Sequence, residues 1–409
     1  MKNKKVTLLT GLLLGLVLLG GSTAQVMASA SFSLINKDSA GEGFNDPTPV
    51  AAVSGNPGTT LGAQRVNVFN AAMQFWGSTL NSDVTIEVEA TFDPLACTPS
   101  TGVLGQAGPQ TVHREFTGSI PGTWYDQALA NSIAKSDLAP DAPDIGAAFN
   151  SNLDSDRNCL GGQGWDYRIP GTGSLSLYTV VRHELGHGLN FLSLADPQTG
   201  SLFLGFPDIY TTFLLDQGTD QAWTMMTDQE RSSSVIGGNL FWTGSNAKNA
   251  ARSIPLTQGQ DGTTSNVELF APNPVQSGSS VSHWDTTLTP DELMEPFATP
   301  SPLSKVTIGA LVDMGWTLDV PSQQPGAVDL SGTVKTSEGL PICALVLASG
   351  QFMFSCAPVG DFSLSNLPRE ADGTVKLQIY ADGFLPYIVL LTDSDTQMQV
   401  VMTTAACPP

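Results

Sequence analysis

Arg182-His183-Glu184-Leu185-Gly186-His187-Gly188 places two histidines four residues apart with a glutamate directly after the first, and this constrains the chain more than any other feature. On a helix that spacing sets both imidazoles on one face, about one turn apart, where both reach a single tetrahedral metal ion. Glu184 is offset around the same helix. It stays clear of the metal yet reaches a water held by it, which is the position of a general base. Apolar Val180, Val181, Leu185 and Leu189 surround the charged residues, so the sequence predicts a buried helix rather than a solvated one. Gly186 and Gly188 each weaken that helix by roughly 1 kcal/mol relative to alanine. Something nearby, either packing or substrate, therefore needs the missing side chains. Asn190 follows, and asparagine is the non-glycine residue that best tolerates the left-handed conformation used to turn a chain sharply after a helix.

Two histidines do not complete a zinc site. Six residues after His187 stands Ser193, whose neutral hydroxyl is a poor ligand. The chain has four histidines. His113, in TVHREF, lies among polar residues and reads as a surface or satisfied structural histidine. No glutamate occurs between Glu184 and Glu230, so a His₂Glu set finds no partner at the usual distance. Asp196 and Asp208 remain open, though neither sits in a helical run placed to meet the metal. That leaves His283, 96 residues beyond His187, a distance that closes if the intervening segment packs as its own lobe.

HELGHGLNF, then SHWDTTLTPDELMEP, then VTIGALVDMGW, taken in that order, resemble the leishmanolysin-like branch of the metzincin metallopeptidases. The likeness runs from about Leu61 to Trp316. It implies a metzincin-type catalytic domain of α+β class, with zinc held by His183, His187 and His283. It also implies that Met294 lies in a methionine turn beneath the zinc, and that a helix closes the domain at Gly315-Trp316. Asn190 stands where the family usually has glycine, and the chain has fewer cysteines than the family's eukaryotic members.

The rest of the chain frames this site. Lys2, Lys4 and Lys5 precede the apolar run TLLTGLLLGLVLLGG and the small-residue site Ala28-Ser29-Ala30, which predicts a signal peptide over 1–30 and a secreted or periplasmic protein. The apolar run is shorter than the roughly 20 residues a span needs, and no later stretch offers a membrane span. Removing the leader leaves 14 basic against 38 acidic residues, a net charge of −24. Such a surface repels nucleic acid phosphates and anionic membranes, so neither is an expected partner.

Composition changes at PSQQPGA, residues 321–327, which reads as a linker between a catalytic domain over 31–320 and a second domain over 328–409. Seven short β runs follow: VDLSGTV, ICALVLA, QFMFSC, DFSLSNL, TVKLQIYA, FLPYIVLL and TQMQVVMT. They predict a small all-β sandwich. GTVKTSEGLPICALVL, GDFSLSNLP and LQIYADGFLPYIV resemble, in that order, the carboxypeptidase regulatory-like (transthyretin-like) module.

Five cysteines in an exported chain suggest disulfides. A two-residue turn at Ser349-Gly350 pairs Ala348 with Gln351, and counting outward pairs Cys343 with Cys356 across the hairpin. Cys97 and Cys159 then bond within the first domain, leaving Cys407 over. Acidic stretches SNLDSDRN and PDAPD are weak candidates for Ca²⁺ and match no EF-hand spacing. The expected function is an endopeptidase acting on protein or peptide substrates through a metal-activated water, with Glu184 as base. The alternative class is a surface binding or adhesion protein whose metal site is structural or inactive.

Overall fold

Strict alternation makes Ile86–Asp93 a strand with one buried face: Ile86, Val88, Ala90 and Phe92 lie inside, and Glu87 points to solvent. It is the centre of a mixed four-stranded sheet. Phe32–Asn36 pairs parallel on one side and Ile145–Asn150 parallel on the other. Gly105–Pro109 then adds antiparallel to Ile145–Asn150 and forms the sheet's edge. This computed structural model describes residues 29–318 except 172, 174, 255 and 301. Beyond them it describes 328–342, 344–349, 351–355, 360–367, 369, 374–381, 384–385, 387–392 and 397–403. Most of the expected leader, the linker at 321–327, and Cys343, Cys356 and Cys407 lie outside the described residues.

Helix Leu61–Gly77 starts where the Thr60 side chain accepts a hydrogen bond from the Ala63 amide, a serviceable N-cap. Phe69, Met73 and Trp76 fall on its buried face at helical spacing. Leu80, at the next helical spacing, belongs to the two-residue strand Leu80–Asn81, because the helix stops at Gly77. An edge-to-face contact of Phe69 with Phe149 ties this helix to the sheet, and another with Phe44 ties it to the short turn Gly43–Asn45. The Trp76 indole donates to the Arg182 carbonyl at 3.0 Å and so anchors it to a second helix, Leu177–Gly188.

The stretch from Asp196 to Ser280 gave no clear sequence periodicity because its strands are too short to show one. Leu214–Asp216, Gln221–Ala222, Leu240–Trp242 and Val267–Glu268 form a four-stranded antiparallel sheet of two- and three-residue strands. Helices Asp228–Ser234 and Ser245–Ser253 lie between its second and third and its third and fourth strands in sequence. The excursion closes without the segment packing as its own lobe. Leu214, Trp223, Leu240, Trp242 and Val267 belong to the same hydrophobic cluster as Phe69, Trp76 and Val181. Helix Lys305–Met314 packs closely on Ser245–Ser253, since a Cβ at Gly309 would stand 2.7 Å from the Ala247 backbone.

All seven C-terminal β runs are strands, arranged as a three-stranded and a four-stranded sheet that share a second buried cluster around Leu330, Val346, Leu364 and Leu377. The hairpin register pairs Ala348 with Gln351 and Ala344 with Ser355, as counted from the sequence. The chain as described is thus mixed α and β with several small sheets, an α+β arrangement. Among the described residues, no helix is long and apolar enough to cross a membrane.

Candidate metal centre

Helix Leu177–Gly188 opens with Ser176, whose hydroxyl accepts from the Thr179 amide, and buries Leu177, Val181 and Leu185. Both glycines within it face close neighbours. A Cβ at Gly186 would lie 2.6 Å from the Met294 sulfur, and one at Gly188 would lie 2.5–2.7 Å from three Ile145 side-chain atoms. Packing accounts for both missing side chains. Past the helix the chain turns at Asn190, whose φ of 84° is the left-handed conformation expected of it. The turn is held from both sides: the Phe191 amide donates to the Gly186 carbonyl at 3.0 Å, and the Asn190 side chain accepts from the Asp126 amide at 2.9 Å.

His283 comes back to this helix on main-chain hydrogen bonds. The Phe270 amide donates to the His283 carbonyl at 2.9 Å, and the Trp284 amide donates to the Met294 carbonyl at 2.9 Å. Trp284 is fully buried and its indole donates to Thr307 at 3.0 Å. Two residues upstream Val281 has a φ of 75°, an unusual conformation for a β-branched residue, while its carbonyl accepts from the Tyr210 hydroxyl at 2.8 Å.

The three imidazoles are aimed alike. Nδ1 of His183 meets the Leu293 carbonyl at 2.7 Å, Nδ1 of His187 the Phe191 carbonyl at 2.8 Å, and Nδ1 of His283 the Ser279 carbonyl at 2.8 Å. A carbonyl only accepts, so each Nδ1 carries the proton and each Nε2 is left as a bare lone pair. Those lone pairs converge: Nε2 of His283 is 3.2 Å from Nε2 of His183 and 3.2 Å from Nε2 of His187. With no proton on either nitrogen, these approaches are not hydrogen bonds. Three lone pairs facing one another repel unless a cation sits among them. Burial pushes the three rings away from the charged form, His183 to about 4, His187 to about 3 and His283 well below the usual histidine range. Neutral imidazoles with Nδ1–H committed to carbonyls are the metal-ligating form. These three histidines are the one group of this kind among the described residues that could hold a metal ion.

Glu184 sits beside them, buried under the edge strand Gly105–Pro109. A Cβ at Gly105 would stand 2.9 Å from the Glu184 Cγ, so that strand position admits little beyond glycine. Burial raises the carboxyl to about 8, partly offset by a hydrogen bond from the Ala107 backbone. Met294 is fully buried against the helix at Gly186.

The other sequence candidates lie elsewhere. His113 is half-buried and hydrogen-bonds Thr111 at 2.9 Å. Exposed Asp196 closes a local turn on the Gln198 amide, and Asp208 is buried and accepts from Leu194 and Thr211. Ser193 bonds Thr211 at 2.9 Å. Asp154, in one of the acidic stretches, pairs with Arg65 at 2.7 Å. Sequence reasoning missed Glu292, a fully buried carboxylate that accepts from the Val306 amide and from the Thr307 hydroxyl, each at 2.8 Å. It thereby ties the chain after His283 to the start of helix Lys305–Met314. The Glu292–Thr307 separation of 15 residues left no local signal for it. Compared with known proteins, the chain matches no family model and is significantly similar to no curated protein.

Proposed function

We propose that the chain is a zinc-dependent endopeptidase of the leishmanolysin-like metzincin type. One observation carries the reading: three neutral histidines, His187 and His283 buried and His183 partly so, present bare Nε2 lone pairs to a common point, with a buried glutamate on the same helix beside them. Zinc–nitrogen bonds of 2.0–2.1 Å in a tetrahedron separate ligand nitrogens by about 3.3–3.4 Å. The 3.2 Å separations fit that size. Three protein nitrogens leave a fourth position for water or substrate, as catalytic sites do and closed structural sites do not. Nitrogen donors without a carboxylate among them suit zinc better than calcium or magnesium.

Bound at this point, zinc would supply a Lewis acid and lower the pKa of coordinated water toward neutrality. Glu184 takes the proton from the attacking water and returns it to the leaving amine nitrogen. Gly105–Pro109 is an edge strand directly beside Glu184, and its outer side suits an extended peptide added as one more strand.

The experiment is zinc stoichiometry together with digestion of a peptide library, with and without chelator, for the wild type and Glu184→Gln. The reading requires one zinc per chain and chelator-sensitive cleavage that Glu184→Gln loses while keeping its zinc. Stoichiometric zinc without cleavage would make the site structural.

A further inference from the structure

A second pair of acids lies behind the turn that follows His187. Asp126 ends strand Tyr125–Asp126, just before helix Gln127–Ala134, and is wholly buried. Neither of its carboxylate oxygens has a hydrogen-bond partner, and it caps no helix amide. The charge acting on it is that of Asp208, itself buried and of the same sign. Among the described residues neither acid forms an ion pair.

The backbone brings the two together. The Trp124 amide donates to the Pro207 carbonyl at 2.9 Å, and the Ile209 amide donates to the Trp124 carbonyl at 2.9 Å, so Asp208 lies opposite Trp124, two residues before Asp126. The Asp126 amide in turn donates to Asn190, and Asp208 accepts from Leu194. Hydroxyls of Ser193 and Thr211 stand on Asp208 at 3.4 and 2.8 Å.

Two carboxylates removed from water at neighbouring positions need a positive charge between them. A single proton answers poorly, because a protonated Asp126 would still carry an O–H and a carbonyl oxygen without partners. We propose that Asp126, Asp208 and the adjacent Ser193 and Thr211 hydroxyls bind a hard divalent cation of the calcium class. Two carboxylates balance a charge of +2, and the donors are all oxygen, with no nitrogen or sulfur to favour zinc. The bound cation joins the start of helix Gln127–Ala134 to the chain from Asn190 to Thr211, which leaves the His187 turn. It is a separate site from the histidine centre and does not rest on the peptidase reading.

The test uses the full chain loaded with zinc, probed with Tb³⁺ and Ca²⁺. Tryptophan-sensitised Tb³⁺ emission is expected, since Trp124 is two residues from Asp126, and Ca²⁺ should quench it. Ca²⁺ at a hundredfold excess over its Kd should raise the unfolding temperature by about 3–5 °C. Asp126→Asn should lose both responses and His183→Ala should keep both. Metal analysis of wild-type protein dialysed against Ca²⁺ should give one calcium per chain, which tests the site even where a variant does not fold. The proposal is overturned if the wild type binds no calcium, or if Asp126→Asn and the wild type respond to Ca²⁺ alike.

Discussion

Gly186→Ala isolates the packing of Met294 beneath the histidine helix. In an unobstructed helix interior the change would stabilise by about 1 kcal/mol. Here the new Cβ would lie 2.6 Å from the Met294 sulfur and 3.2 Å from its methyl carbon. Ordinary contacts between such atoms are about 3.5–4.0 Å, so the thioether must withdraw by about 1 Å. Met294 is fully buried and its carbonyl holds the Trp284 amide at 2.9 Å, so the side chain has little room and the backbone is fixed. Overpacking of this kind costs about 1–3 kcal/mol. The net expectation is a loss of about 0–2 kcal/mol, accompanied by weaker zinc binding. A single measurement near zero would therefore say little, and the decisive quantity is the coupling. Met294→Ala removes the obstructing sulfur, so Gly186→Ala should cost less in that background than in the wild type, by about 1–3 kcal/mol. Urea unfolding of the four proteins, followed by tryptophan fluorescence, gives the cycle. All seven tryptophans lie between Trp76 and Trp316, so the signal excludes the C-terminal sheets. Additivity within about 0.5 kcal/mol would refute the argument.

Glu184→Gln should lower peptide cleavage by at least about 10²-fold while leaving zinc stoichiometry at one, as read by metal analysis beside a turnover assay. His283→Ala should lose stoichiometric zinc, whereas His113→Ala and Asp196→Ala should keep it; the reverse pattern would remove His283 from the site. Metal-free protein should lose stability as pH rises from 6.5 to about 8. Glu184 has its folded pKa pushed from 4.5 to about 8, so its contribution is complete below 4.5 and is lost as pH rises through about 8. The depressed histidines act oppositely, but their loss occurs as pH falls below 6.5. Urea midpoints across that range, with and without zinc, check the slope and its removal by metal. Cys97–Cys159 closes a loop over a sequence separation of 62, and Cys97→Ser with Cys159→Ser should cost about 2–4 kcal/mol in the same unfolding assay.

What could be read from the sequence was whatever repeats locally. Ile86, Val88, Ala90 and Phe92 announce a half-buried strand by alternation, and Phe69, Met73 and Trp76 a helix by their spacing. His183, Glu184 and His187 declare their geometry within five residues. His283 has no such local pattern, and its candidacy came from elimination and from the resemblance of its flanks. The sheet between Leu214 and Glu268 was invisible because strands of two or three residues complete no period. Thr227 and Glu230 form a capping box at helix Asp228–Ser234, a signal present in the sequence that the surrounding polar residues obscured. Asp126 and Glu292 gave no warning, because burial of an acid depends on chain segments far away in sequence.

Each histidine of the triad is oriented by a main-chain carbonyl, those of Leu293, Phe191 and Ser279. A carboxylate or amide in that role can be deleted by one substitution; a peptide carbonyl cannot. The tautomer that frees each Nε2 is therefore robust to point mutation, and the side chains of Phe191 and Leu293 serve core packing rather than ring orientation. Laboratory evolution of this centre would meet the same asymmetry. Ligand identity is open to change at single codons, but ring orientation responds only to changes that move backbone, such as insertions in the turn at Asn190 or between Ser279 and His283.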